Sequence, residues 1–176
     1  MRVRTIFALA GTAALLAIPV ATASPSNNAV VESASGGINW TIPLPNVFGV
    51  EVVSQPLAFN AVKYVDGRVS GRFEYIQKAG GDTFKFGVDV TCMNVYAGNR
   101  AKIGGIVTES SDPTIAVGMY GWFQVFDNGE GANAAADQSS LIGFGDEAAN
   151  EAFCNSPNLP RFGPWDVHGN VQVRTS

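Results

Sequence analysis

Thr83-Phe84-Lys85-Phe86-Gly87-Val88-Asp89-Val90-Thr91-Cys92 decides the fold class. Phe84, Phe86, Val88, Val90 and Cys92 share one parity, while Lys85, Asp89 and Thr91 take the other. Such alternation is the period of a strand with one face buried. Gly98-Asn99 follows, and Ala101, Ile103 and Val107 resume the pattern. Gly and Asn tolerate positive φ, so the pair predicts a two-residue hairpin turn. That register sets Cys92 opposite Gly105 on the inner face, where the small partner leaves room for a disulfide.

Hairpin chemistry continues on both sides. Upstream, Leu57 to Gln77 is divided by Asp66-Gly67, a type I′ turn signal. Pairing outward from that turn puts Val62, Tyr64, Val69, Phe73 and Tyr75 on one face, and Lys63, Arg68, Arg72 and Glu74 on the other. Ile38 to Ile42 reads as a short first strand stopped by Pro43 and Pro45, and Val47 to Val53 as another. Downstream, Gly118 to Phe126 carries large residues on both parities, as in a strand covered on both faces. Asp127 to Asp137 is polar, Gly-rich and Ala-rich, an exposed loop. Ser139 to Phe144 is a strand, Gly145 to Ala152 holds one helical turn, Asn155 to Gly169 is irregular, and Asn170 to Arg174 closes the chain. About eight short strands with turn signals between them predict an all-β antiparallel meander. A small barrel is the preferred form and a sandwich the alternative.

The first residues read as an address. Arg2 and Arg4 precede the apolar run Ile6 to Val20, and Ala21-Thr22-Ala23 is a small-residue cleavage site. Residues 1–23 are therefore expected to be a secretory signal peptide, with export from the cell. Residues 24–37, rich in Ser, Ala, Asn and Gly, read as a flexible leader. Residues 38–176 make a single β-domain. No later stretch is long and apolar enough to span a bilayer. The formal charge of the whole chain is −4, and loss of Arg2 and Arg4 makes the remainder more acidic. Nucleic acid is a poor partner for such a chain. The chain has two cysteines. In an oxidising compartment Cys92 and Cys154 are expected to pair.

Little of the chemistry-bearing inventory forms a device. His168 is the only histidine, and no nucleophile-elbow sequence accompanies it and Asp166. One histidine and two oxidised cysteines exclude ordinary zinc spacing, and no cofactor fingerprint appears. Asp127, Asn128, Glu130 and Asp137 gather oxygen atoms in one loop. Turn chemistry accounts for them best, with Asp127, Glu130 and Asp137 as the calcium candidates. Trp40, Trp122, Trp165, Tyr64, Tyr75, Tyr96 and Tyr120 read first as core. If any of them line a site, an open barrel end is its place, with Arg161 to Trp165 as a covering loop.

Gly67-Arg68-Val69-Ser70-Gly71-Arg72-Phe73-Glu74-Tyr75 begins an ordered set of pieces. Val90-Thr91-Cys92 with Gly98 to Gly105 follows, then Phe126-Asp127-Asn128-Gly129-Glu130-Gly131, Asp137-Gln138-Ser139, Cys154, and Gly169-Asn170-Val171-Gln172-Val173. The set resembles a family of small secreted actinobacterial β-proteins with no assigned function. The resemblance implies a secreted β-rich domain with a Cys92–Cys154 bridge, and no catalytic residues.

The functional expectation is a secreted, non-enzymatic binding or interaction module at the envelope or outside the cell, with an envelope or polysaccharide component as partner. A small secreted hydrolase using a carboxylate pair competes with it. So does a hollow barrel carrying a small apolar ligand.

Overall fold

The computed structural model describes residues 27–40, 52–79, 81–131, 133–158 and 163–176. The expected signal peptide lies outside them. The elements are β1 (Val30–Trp40), β2 (Val52–Ser54), β3 (Pro56–Tyr64), β4 (Val69–Ala79), β5 (Asp82–Tyr96), β6 (Arg100–Ser110), β7 (Tyr120–Phe126), β8 (Gln138–Ser139), β9 (Gly143–Gly145), α1 (Glu147–Asn155) and β10 (Trp165–Thr175). No helix among the described residues is long and apolar enough to cross a membrane.

All strands join one antiparallel sheet. The order β4-β3-β1-β10-β8-β7-β6-β5 returns to β4, so the sheet closes into a ring. From β3 to β8 it is a meander, and the strands nearest the two chain ends, β1 and β10, fill the gap side by side. β2 prolongs the β3 side of β4, and β9 pairs with the start of β7. Closure removes the exposed edges that an open sheet presents.

The interior is filled at mid-height. Phe59, Phe73 and Phe123 meet edge to face, with centroids 5.3 Å (Phe59–Phe123) and 5.0 Å (Phe73–Phe123) apart. Ile38, Leu57, Val88, Val90, Ile103, Val125 and Val171 pack around them.

Several expectations are corrected. The strand expected over Ser139 to Phe144 is two short ones, β8 and β9, separated by residues 140–142. Residues 30–37 of the supposed leader are strand β1, while 27–29 precede it. Their small side chains are needed in the ring: a Cβ on Gly36 would stand 2.7 Å from Phe59 Cζ on the neighbouring strand. Small residues that suggest a loose tail here make room for an aromatic ring.

The turn at Gly98-Asn99 spans three residues, because Tyr96 pairs with Arg100 and Ala97 adopts φ 53°. Thr91 is a bulge: the register passes from Val90↔Gly105 to Cys92↔Gly104. One extra residue flips the parity. Met93 therefore enters the core in place of Cys92, which faces outward towards α1.

The Asp66-Gly67 turn is also one residue longer than expected, since Tyr64 N–H bonds Arg68 C=O at 2.8 Å. Phe73 and Tyr75 keep their inward face, but on β3 the core side is Leu57, Phe59 and Ala61 rather than Val62 and Tyr64. A shift of one residue turns every side chain of a strand over.

The single helical turn expected after Gly145 is a nine-residue helix, α1, begun by Asp146, whose carboxylate accepts the Ala149 N–H at 2.8 Å. Finally, β10 starts at Trp165 inside the segment expected to be irregular. The strand expected over Val47 to Val53 survives as β2, and residues 47–51 lie outside the described part.

Candidate functional site

Antiparallel order brings the end of β1, the start of β3, the end of β4 and the starts of β5 and β7 to one end of the ring. A cavity of about 180 Å³ lies there, lined by Trp40, Gln55, Tyr75, Gln77, Phe86, Ile115, Leu141, Ile142 and Phe144. Its aromatic wall is continuous. Trp40 meets Tyr75 at 5.8 Å, Tyr75 meets Phe86 at 5.0 Å, and Phe86 meets Phe144 at 5.2 Å between centroids. The ring is thus filled at mid-height by the phenylalanine cluster and carries a cavity at one end.

Polar groups are few here. The Trp40 indole Nε1 is buried without a hydrogen-bond partner. Indole N–H only donates, and a buried donor left unpaired costs about 1–3 kcal/mol. Burial, with a smaller contribution from Asp112, raises the pKa of the Tyr75 hydroxyl and keeps it neutral. Gln55 and Gln77 add carboxamides, and among the described residues no charged side chain lines the cavity.

Of the aromatic residues singled out from sequence, the structure brings Trp40 and Tyr75 to this end. The others are dispersed. Trp122 stacks on Phe153 of α1 at 6.0 Å, and Tyr64 lies under the Arg68 guanidinium at 4.8 Å. Trp165 opens β10, paired with Ser139. Tyr120 lies beside Glu147, its pKa raised by partial burial first and by that carboxylate second. Of the proposed covering loop, Arg161 and Phe162 lie outside the described residues. Gln55, Gln77, Ile115, Leu141, Ile142 and Phe144 were not foreseen. Their only sequence signal is position beside turns at strand ends, which no periodicity marks as lining.

The oxygen-rich loop serves the fold. Asp137 is buried, not part of an exposed loop. Its Oδ1 accepts the Asn128 N–H at 2.8 Å and its Oδ2 the Val171 N–H at 2.7 Å. Asp127 Oδ2 accepts the Val173 N–H at 2.9 Å and its Oδ1 the Gly129 N–H at 2.9 Å. Glu130 is exposed. Among the described residues no three His, Cys, Asp or Glu side chains gather as a metal-holding group. His168 is exposed on β10, and Asp166 accepts a hydrogen bond from Gln138 Nε2 at 2.8 Å.

Outside the ring, α1 is clamped onto β5 and β6. Cys92 and Cys154 are disulfide-bonded. The carbonyls at the helix C-terminus, which have no partners within the helix, are met by side chains from below. Asn94 Nδ2 donates to Cys154 O at 3.0 Å, and the Tyr96 hydroxyl donates to the same oxygen. Lys102 Nζ donates to Ser156 O and Asn158 O, both at 2.6 Å. Burial lowers the Lys102 pKa, and the Phe153 ring lies 4.7 Å from its ammonium group. This cation sits at the negative end of the helix dipole.

The fold and site define an all-β ring protein with an aromatic cavity at one end and a disulfide-bonded helix on its outer face. Comparison with known proteins finds no matching family model, no matching curated protein and no matching solved structure.

Proposed function

We propose that this chain is a secreted, non-enzymatic binding module that holds a small molecule in the cavity at the end of the ring. We assign its place of action to the envelope or the outside of the cell, and group it with the small secreted actinobacterial β-proteins that it resembles. The observation that carries the binding reading is the cavity itself, walled by Trp40, Tyr75, Phe86 and Phe144 with the carboxamide residues Gln55 and Gln77 beside them. A mostly apolar pocket with a few placed polar groups is the usual form of a small-molecule site. The Cys92–Cys154 bridge suits an oxidising compartment.

Binding is favoured over turnover by the lining. Among the described residues it offers an indole, a phenol and two amides, and no carboxylate, imidazole or thiol. Hydrolysis by a carboxylate pair needs two acids across a cleft. Three acids do converge on the outer face, but around a cation: Arg72 bridges Glu74 at 3.2 Å, Asp89 at 2.8 Å, and Glu109.

The test is a library of neutral one-ring and short-chain molecules, titrated into ¹⁵N-labelled protein. Amide shifts should cluster at Gln55, Tyr75, Gln77, Phe86 and Leu141. Shifts confined to other surfaces would overturn the proposal, as would consumption of a glycan, ester or peptide substrate abolished by changing one acid.

A further inference from the structure

We propose that the cavity takes uncharged aromatic rings bearing one carboxamide-like group (aryl carboxamides or one-ring lactams), with the Gln55 carboxamide as their hydrogen-bond partner. This rests on reading the cavity as a ligand site, and three observations narrow the ligand. The first is volume. A cavity of about 180 Å³ is slightly larger than the ~150 Å³ apolar cavity that holds a benzene ring, so one ring with a small substituent fills it. The second is the wall. Trp40, Tyr75, Phe86 and Phe144 form a chain of ring contacts, and among the described residues no charged side chain lines the space. Such a wall favours another aromatic ring, and an ion buried there without a partner is strongly disfavoured. The third is an unused carboxamide. Gln55 lines the cavity and is 5% exposed. Its backbone N–H donates to Asn39 Oδ1 at 2.7 Å, which holds the residue in place. Among the described residues neither atom of its carboxamide has a hydrogen-bond partner, and neither is sealed from water. A residue so deeply buried keeps its amide accessible by opening onto the cavity that it lines. The amide offers both an acceptor and donors. A ligand carboxamide answers both at once, accepting from Nε2 and donating to Oε1. A ketone answers one of them, and a hydrocarbon neither.

Five probes of nearly equal shape separate these requirements: benzamide, acetophenone, α-methylstyrene, benzoate and benzamidinium. Each is titrated into the ¹⁵N-labelled chain and into Gln55→Met, which keeps the side-chain length and removes the amide. The Gln55 side-chain NH₂ resonances, assigned through the bonds from its backbone, are followed in the parent. Benzamide should bind at the cavity and shift them. Benzoate and benzamidinium should not bind. In Gln55→Met, benzamide should weaken about tenfold, as loss of two ordinary hydrogen bonds implies, and acetophenone about threefold, as loss of one implies. α-Methylstyrene should bind the variant no more weakly than the parent.

Benzamide binding untouched by Gln55→Met, equal weakening of all three neutral probes, unmoved Gln55 NH₂ signals, or a charged probe that binds as tightly as benzamide would overturn the carboxamide assignment. In each of those cases backbone shifts at the cavity would leave the binding reading standing. Silence of all five probes beside hits from the wider library would overturn the carboxamide assignment alone, and silence of both sets would overturn both readings. If Gln55→Met does not fold, the Gln55 NH₂ signals and the two charged probes in the unaltered chain decide the question.

Discussion

The Asp137 carboxylate accepts the backbone N–H of Val171 at 2.7 Å, in the place where a neighbouring strand would supply a carbonyl. β8 has only two residues and pairs with β10 at Trp165 and Asp166. Beyond them, Asp137 O takes the Val167 N–H at 2.9 Å, and the carboxylates of Asp137 and Asp127 take those of Val171 and Val173. Side-chain oxygens thus complete the seam between β7 and β10. Hydrogen bonds to a charged group are worth about 1.5–3 kcal/mol. Asp137→Ala removes two of them at a buried position and should destabilise the fold by about 3–6 kcal/mol in urea unfolding. Asp137→Asn retains one acceptor oxygen and should lose less. Equal stability of Asp137→Ala and the parent would show that the seam does not depend on this carboxylate.

The same geometry bears on calcium. Asp127 and Asp137 each direct both carboxylate oxygens at backbone N–H groups. A cation would have to displace those donors. Neither millimolar calcium nor a chelator should move the melting temperature. A calcium-dependent rise of several degrees would instead make Asp127, Glu130 and Asp137 ligands.

The central strand shows how far the sequence reading reaches. Phe86, Val88 and Val90 are legible as an inward face because alternation is a local property. Thr91 interrupts it with a bulge that no residue type announces, and from there Met93 and Cys92 exchange faces. The same limit governs β1, where Gly36 looks like a flexible residue until Phe59 is seen against it. Strand content and turn positions follow from local pattern. The seam at Asp137, the clamp at Lys102 and most of the cavity lining depend on contacts distant in sequence, such as Lys102 with Ser156. The sequence reading points to an open end as the place to look if a site exists, and the cavity lies at such an end with Trp40 and Tyr75, two of the aromatics it names, in its lining. The glutamines and the loop residues around them carry no periodic signal.

The bridge between Cys92 and Cys154 spans a separation of 62 residues. Closing a loop of that length is worth on the order of 4 kcal/mol in the chain-entropy model. Replacing both cysteines with serine should lower the unfolding free energy by about 2–5 kcal/mol. Thiol labelling of the unreduced protein should find no reactive group, and two reactive thiols would exclude the bridge.

Gly104 lies beneath α1, next to the disulfide. A Cβ there would collide with Asn150 Oδ1 and stand 3.1 Å from Cys92 Sγ. Asn150 is buried and cannot move into solvent without lifting the helix. Gly104→Ala should destabilise by about 1–3 kcal/mol through overpacking. Gly98→Ala has open space but a φ of 76°, so its loss should come from backbone strain alone and be smaller. If Gly104→Ala were the milder of the two, the helix would not be seated as described.

Tyr75 gives the chain a signature at alkaline pH. Burial, and secondarily Asp112, raises its pKa above the usual tyrosine value. In the unfolded chain it ionises near pH ~10. Above that point the folded state still holds the proton that the unfolded state has lost. Unfolding then releases a proton, and stability falls as pH rises. The contribution is fully present below pH ~10 and is lost above it. Tyr96 and Tyr120 are raised by burial too and act in the same direction. Lys102 has the opposite sign: its pKa is lowered, so it adds stability as pH rises towards its unfolded value. The parent profile is therefore a sum, and Tyr75→Phe isolates one part. From neutral pH to about pH 9 the variant and parent should differ by a constant amount. Above pH ~10 the parent should lose stability faster, since only its buried phenol carries the linked proton. Urea midpoints measured at intervals from pH 7 to the alkaline limit of folding give the comparison. Parallel curves through that range would mean that Tyr75 ionises freely in the folded chain, and that the end of the ring is wetter than the packing of Trp40, Tyr75 and Phe86 describes.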